Sequence, residues 1–241
     1  MRRLGFEENT LLFQVSDHGE PMGNGEHGHG ILRKCRPWPY EELIHVPFIM
    51  RFPGCPAGKR VKSFVQSCDV APTVCDWLGI GAHPLHQGKS LLPMARGEVE
   101  KVRDFAITGY HKYSWSIITE DWSYIHWLKD DSDTNDVFKT MYGDGVAATS
   151  SHLGKMRDEC WRVSEDDIND AQKAYKEDAS ADGAAQWTCT PGSSVEVPAE
   201  DELYNRRTDP RQLRNVLAQH PDVARKLLTR LQDYMAELLD S

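Results

Sequence analysis

Apolar residues come as short dense runs near the start of the chain, alternate in pieces at its middle, and follow a helical stripe at its end. "NTLLFQV", residues 9–15, is nearly continuous and stops at Ser16-Asp17-His18-Gly19. A run of that length predicts a strand buried on both faces within a mainly parallel sheet. "VPFIMRFP", residues 46–53, predicts a second strand of the same kind, closed by Pro53-Gly54. Between them lies a long polar loop rich in glycine. In open parallel sheets ligands gather beyond the carboxyl ends of the strands, which is where Asp17 and His18 fall.

Further along, Asp69 is placed to cap a helix over "VAPTVCDWLGI", with Val70, Val74, Trp77 and Leu78 as its apolar face and Gly79 as its stop. From about Asp104 the rhythm changes to "FAITGY", "YSWSIIT" and "WSYIHW", separated by short breaks, which predicts an antiparallel meander and a second, smaller layer. Residues from about 130 to 200 are polar and read as an insertion, with one helix starting at Ser164. The tail from Pro221 predicts an amphipathic helix with Val223, Leu227, Leu231, Tyr234 and Leu238 on one side. The division expected is residues 1–103 as an α/β part carrying the loop, and 104–241 as the antiparallel part with the insertion and the final helix.

Composition narrows what such a scaffold does. At 241 residues and 39% hydrophobic content the chain can bury a real core. Its formal charge of -9 argues against nucleic acid or an anionic membrane as partner, because the field repels phosphates. "MRRLGFEENT" has the arginines of an export signal without an apolar stretch behind them, and no window has the length of a membrane span. The six cysteines form no C-x-x-C pair, so a zinc ribbon is not expected, and their redox state stays open.

The chemistry is concentrated between Phe13 and Glu42. Asp17 and His18 offer a hard oxygen and an imidazole nitrogen, a pairing that suits calcium, magnesium or manganese with further carboxylates from elsewhere. Taken alone, an Asp-His-Gly is more often a turn cap beside a surface histidine. Lys34, at the far end of the loop, places an ammonium where anionic oxygens would meet it, though a lone lysine is most often a solvated charge. Glu26, His27 and His29 stand in a glycine-rich turn, where exposed histidines are common. "WPYEE" and "HVPF" read as packing and the approach to the next strand.

The joint order of these pieces resembles the sulfatase family of the alkaline-phosphatase-like superfamily. "SDHGE", "GEHG", "RKCRPWPYEE" and "VPFIMRFPG" follow one another as in that family, then "CDVAPTVCDWLGI" and "GKSLLPMARG", and near the end "DELYNRRTDPRQLRNVLAQHP". The resemblance covers residues 4 to about 128 and 201 to 238. It implies that Asp17 and His18 are ligands of a divalent cation, most often calcium, with manganese or magnesium as alternatives. It makes Lys34 the lysine that contacts the sulfate and the leaving-group oxygens. The metal and the ammonium would then offset charge as the ester bond breaks.

The family nucleophile is a formylglycine made from the first residue of a Cys-x-Pro-Ser-Arg or Ser-x-Pro-Ser-Arg motif in an N-terminal half. Neither "CRPWP" at Cys35 nor "CTPGS" at Cys189 carries the required arginine. The chain is therefore expected to correspond to the C-terminal half of a sulfatase. It should comprise part of an α/β, mainly parallel sheet, a small antiparallel subdomain and a C-terminal helix, and be weak or inactive alone. A phosphodiesterase or phosphonate monoester hydrolase of the same superfamily is the alternative enzyme, and a non-catalytic assembly module the alternative outside enzymes. The partners this implies are a sulfate ester and either a second copy of the chain or a separately encoded N-terminal half. Relatives in this family are often exported, but compartment is not fixed by these residues.

Overall fold

A computed structural model describes residues 2–20, 22–23, 29, 31–32, 39–110, 114–128 and 198–239. All of them fall within one compact unit formed by 1–134 together with 197–241. The polar insertion, with its helix at Ser164, lies almost wholly outside the described residues, as do Glu26, His27, Lys34 and Cys35. Among the described residues no helix is long and apolar enough to cross a membrane.

The first apolar run forms β1 (Leu12–Val15) and the second forms β4 (Phe48–Arg51). They pair with each other, and the pairing is antiparallel, with Leu12 opposite Arg51 and Val15 opposite Phe48. This corrects the expected parallel arrangement: every strand pairing among the described residues is antiparallel. A parallel return needs a crossover element long enough to cover a face. The described part of this connection holds only the two-residue strands β2 (Met22–Gly23) and β3 (Ile31–Leu32) and the one-turn helix α1 (Glu41–Ile44). Burial on both faces is also not found. Leu12 and Val15 are exposed and Ile49 is 56% exposed, while Phe13 and Phe48 meet edge to face at 5.9 Å. Phe52 just beyond β4 is buried with Leu92 and Ala95, against which Leu11, Met50 and Trp77 pack.

Two of the sequence motifs turn out to be one structural knot. Helix α2 (Val70–Trp77) ends as expected, with Gly79 in the left-handed region at φ 68° and its N–H donating to the Asp76 carbonyl. Its start corrects the expectation. Asp69 occupies the cap position but makes no cap bond to α2. The fully buried Asp69 carboxylate instead accepts from the Gln66 and Lys89 N–H groups at 2.8 Å each and from both terminal nitrogens of Arg103. Thr73 donates to the Asp69 carbonyl and accepts the Leu91 N–H at 3.0 Å. Gly88 passes so close to the Cys68 carbonyl that a side chain has no room there. The "DVAPT" helix thus docks the "GKSLL" segment that leads into α3 (Leu92–Arg96). Its buried positions are Pro72 and Thr73, whereas Leu78, expected on the apolar face, is exposed.

The meander is present as expected. β5 (Phe105–Tyr110), β6 (Ser114–Thr119) and β7 (Trp122–Trp127) run antiparallel in order. β8 (Glu202–Asn205), the "DELYN" segment, completes the four-stranded sheet against β7. The final helix α4 (Pro221–Leu239) lies across β6 and β7. Its buried stripe is Ala224, Leu227, Leu231 and Met235, so the expected stripe is rotated: Leu227 and Leu231 are central and Val223, Tyr234 and Leu238 stand at its margins. Tyr234 meets Phe105 edge to face, and the Arg230 guanidinium lies 4.2 Å from the same ring. Tyr40, Ile125, Trp127 and Tyr204 form a second buried cluster, which ties the segment before α1 to the sheet.

Candidate metal loop and its scaffold

Asp17 and His18 stand where expected, immediately beyond β1. The chain turns there through bonds that fix the histidine ring. The Ser16 hydroxyl donates to the His18 carbonyl at 2.7 Å, and the His18 N–H donates to Asp17 Oδ1 at 3.0 Å. His18 Nδ1 lies 2.6 Å from the Gly19 carbonyl oxygen. A carbonyl only accepts, so Nδ1 carries a proton and Nε2 is the nitrogen available for other work. That Nε2 lies 3.3 Å from Asp17 Oδ2. A carboxylate oxygen and a ring nitrogen at this spacing either contact one another alone or face a shared cation.

The surroundings suit the second possibility. An imidazole whose other nitrogen is held by a backbone carbonyl is the usual arrangement of a metal-binding histidine. Asp17 is 80% and His18 31% exposed. Gly19 fixes the pair to the scaffold: its N–H donates to the Leu43 carbonyl of α1 at 2.7 Å, and any side chain there would run into the Glu42 carbonyl. The two residues suit a hard divalent cation but supply only a minority of the roughly six to eight ligands it takes. Among the described residues no group of three or more His, Cys, Asp or Glu converges as a complete site. Lys34, Glu26 and His27 are outside the described residues.

His29, within the same loop, is engaged in quite another way. Its ring stacks on Tyr40, with centroids 3.6 Å apart and planes within 9° of each other. Its Nδ1 lies 2.7 Å from Glu42 Oε1 and its Nε2 2.6 Å from the Gln212 carbonyl. Burial works against charge on either residue of the His29–Glu42 pair. Their mutual hydrogen bond and attraction outweigh it, holding the His29 pKa above its ordinary 6.5 and that of Glu42 below 4.5.

Gln212 is 1% exposed and is a non-glycine residue at φ 57°. It spends every polar group: the side-chain oxygen accepts the Glu41 N–H at 2.6 Å and the amide nitrogen donates to Ser123 Oγ at 2.7 Å. Beneath the stacked pair, Glu202 accepts from the Tyr40 hydroxyl and from Trp127 Nε1. Burial raises the Glu202 pKa, only partly countered by these donors. This polar scaffold of His29, Tyr40, Gln212 and Glu202 was not foreseen as a unit. Its members lie up to 183 positions apart, and the one local hint, a Gly-His-Gly, reads the same for an exposed histidine.

Residues 25–141 match the family described as N-sulphoglucosamine sulphohydrolase, C-terminal. The chain is 35% identical over 104 residues to the extracellular sulfatase SULF-1 homolog of Drosophila melanogaster, covering 43% of this chain and 9% of that protein. It is 33% identical over 96 residues to the Delta 4,5-hexuronate-2-O-sulfatase of Bacteroides thetaiotaomicron, covering 39% of this chain and 19% of that one. Among solved structures, a protein in complex with its substrate D-glucosamine-2-N,6-O-disulfate superposes with a TM-score of 0.63 at 20% identity, over 100% of this chain and 37% of the other. The phosphonate monoester hydrolase of Agrobacterium radiobacter gives a TM-score of 0.60 at 21% identity, over 98% and 37%. The chain thus spans well under half the length of the proteins it matches. In sequence the chain is thus similar to sulfatases over residues 25–141, the part that matches the C-terminal family model, and in fold it is similar to these solved structures.

Proposed function

We propose that this chain supplies part of the catalytic centre of a sulfuric ester hydrolase acting on a sulfated carbohydrate. The observation that carries the reading is the Asp17–His18 pair beyond β1, with His18 Nδ1 committed to the Gly19 carbonyl and Nε2 turned to Asp17. In this reading both residues hold a divalent cation, calcium first and manganese or magnesium as alternatives. The cation, when bound, would polarise the sulfate oxygens. The role of this chain is to orient the two donors and, through Lys34, to offset charge on the sulfate and the departing oxygen.

A carbohydrate sulfate is supported by two similar proteins, a hexuronate-2-O-sulfatase and a protein bound to its glucosamine disulfate substrate. The matching family model and the curated relatives favour sulfate over phosphonate, whose hydrolase shares the fold. On this reading the nucleophile and the remaining metal donors come from outside these residues. The exposed Leu12, Val15 and Ile49 of the β1–β4 pair are then apolar surface for the rest of such an enzyme to cover.

The test is calcium and manganese titration by calorimetry of the chain, with Asp17→Ala, His18→Ala as control. Weak binding that disappears in the double variant is expected. Equal binding by both proteins would remove Asp17 and His18 from the site. Sulfate ester turnover by the purified chain alone would overturn the assignment of the nucleophile to another segment.

A further inference from the structure

We propose that His29 is a doubly protonated clamp that fastens the loop after β1 to the sheet, so that the seating of this loop is set by pH. Nδ1 faces a carboxylate oxygen of Glu42 at 2.7 Å and Nε2 faces the Gln212 carbonyl at 2.6 Å. Neither partner can donate, so both contacts are hydrogen bonds only when both ring nitrogens carry a proton. A neutral ring would leave one lone pair pointed at an oxygen, and that contact would have to open.

Burial disfavours charge on the ring, and the groups that face it offset this. From α1 come Glu42, in contact, and Glu41, whose own charge is shared between His45 and Arg206. From β8 comes Glu202, whose negative field reaches the ring across Tyr40, with the buried Tyr204 beside it. Tyr40 itself presents its π-face at 3.6 Å. From the turn before α4 comes the Gln212 carbonyl, with Asp209 bonded to the Gln212 N–H through its own carbonyl. The counter-charges are Arg206, engaged with Glu41 and the Thr119 carbonyl, and Arg211, next to Gln212 in sequence.

The sign follows from linkage. A histidine whose folded pKa is raised stabilises the fold fully below its unfolded value of about 6.5, and that contribution is lost as pH rises through the folded pKa. The clamp therefore holds in acid and slackens toward alkaline pH. Slackening releases the His29 ring from the Gln212 carbonyl, 11 positions after His18 in the chain. The inference goes beyond the proposed reaction and holds whatever the loop binds.

The direct test is long-range proton–nitrogen NMR of the His29 ring in the full chain across pH. Expected is an imidazolium signature that persists above pH 6.5, with amide exchange at Ile31 and Leu32 accelerating as the ring deprotonates. A ring that titrates at or below 6.5, or exchange that ignores its titration, overturns the proposal. Thermal midpoints of the chain and of His29→Gln should diverge as pH is lowered from about 8 to about 6; a constant gap overturns it as well. If His29→Gln does not fold, Glu42→Gln serves, because loss of that carboxylate should move the ring titration to lower pH, and an unmoved titration counts against the clamp.

Discussion

Asp69 and Arg103 meet at two points, Nη1 to Oδ2 and Nη2 to Oδ1, each at 2.5 Å, with the carboxylate fully buried and the guanidinium nearly so. Two parallel charge-assisted bonds fix both position and orientation. They join the start of α2 to the strand segment leading into β5. Removing one partner leaves the other charge buried without compensation. Asp69→Ala should cost about 3–5 kcal/mol, read as a lowered midpoint in urea with an unchanged slope.

Thr73 tests the same knot without touching charge. Thr73→Val keeps the shape but deletes the acceptor of the buried Leu91 N–H and the donor to the Asp69 carbonyl. A buried amide left unsatisfied costs about 1–3 kcal/mol. Thr73→Ser keeps the hydroxyl and should lose less than half as much by the same urea measurement.

Gly19→Ala addresses the proposed metal loop through backbone alone. The new methyl would meet the Glu42 carbonyl, so the Gly19 to Leu43 hydrogen bond has to lengthen and the Asp17–His18 pair moves with it. Overpacking of this kind costs about 1–3 kcal/mol. Calcium affinity by calorimetry should fall although neither donor residue is changed. Unaltered affinity and stability would show that the loop does not depend on its seat against α1.

Asp201 carries a pH dependence of opposite sign to that of His29. Its carboxylate accepts from the Tyr124 hydroxyl and the Trp127 N–H and lies 2.9 Å from His126 Nδ1. Burial alone would raise its pKa, but these partners bring it below the ordinary 3.8. Its stabilisation is therefore present above about pH 4 and fades as pH falls through the depressed value. Asp201→Asn should lose about 1.5–3 kcal/mol at pH 7, with the gap closing in acid when midpoints are followed from pH 7 downward.

What the sequence made legible was what depends on neighbours along the chain. Alternation announced β5, β6 and β7, a proline-led stripe announced α4, and Gly79 announced the end of α2. The place of Asp17 and His18 beyond a strand was legible too, because a dense apolar run followed by a polar turn has few other readings. The direction in which β1 and β4 pair was not. An apolar run of four to eight residues carries no information about the direction of its partner, and here the return is antiparallel. Asp69 was misread because Asp before an apolar helix is a good cap, and only tertiary contact with Arg103 and Lys89 shows the carboxylate facing inward. Gln212 was invisible, since nothing local marks a glutamine that will sit at positive φ inside a core.

β7 and β8 are neighbours in the sheet, yet Trp127 and Glu202 are 75 positions apart in the chain. The sheet therefore cannot close during synthesis until residue 205 has been made, and until then β7 offers an unpaired edge with Tyr124 and Trp127 beside it. Closing so long a span in place of a tight turn of about five residues costs about 2 kcal/mol of chain entropy. Assembly of the sheet is thus the slow, non-local step, and a shortened connection between Leu128 and Pro198 should speed it while leaving the register of the finished strands unchanged.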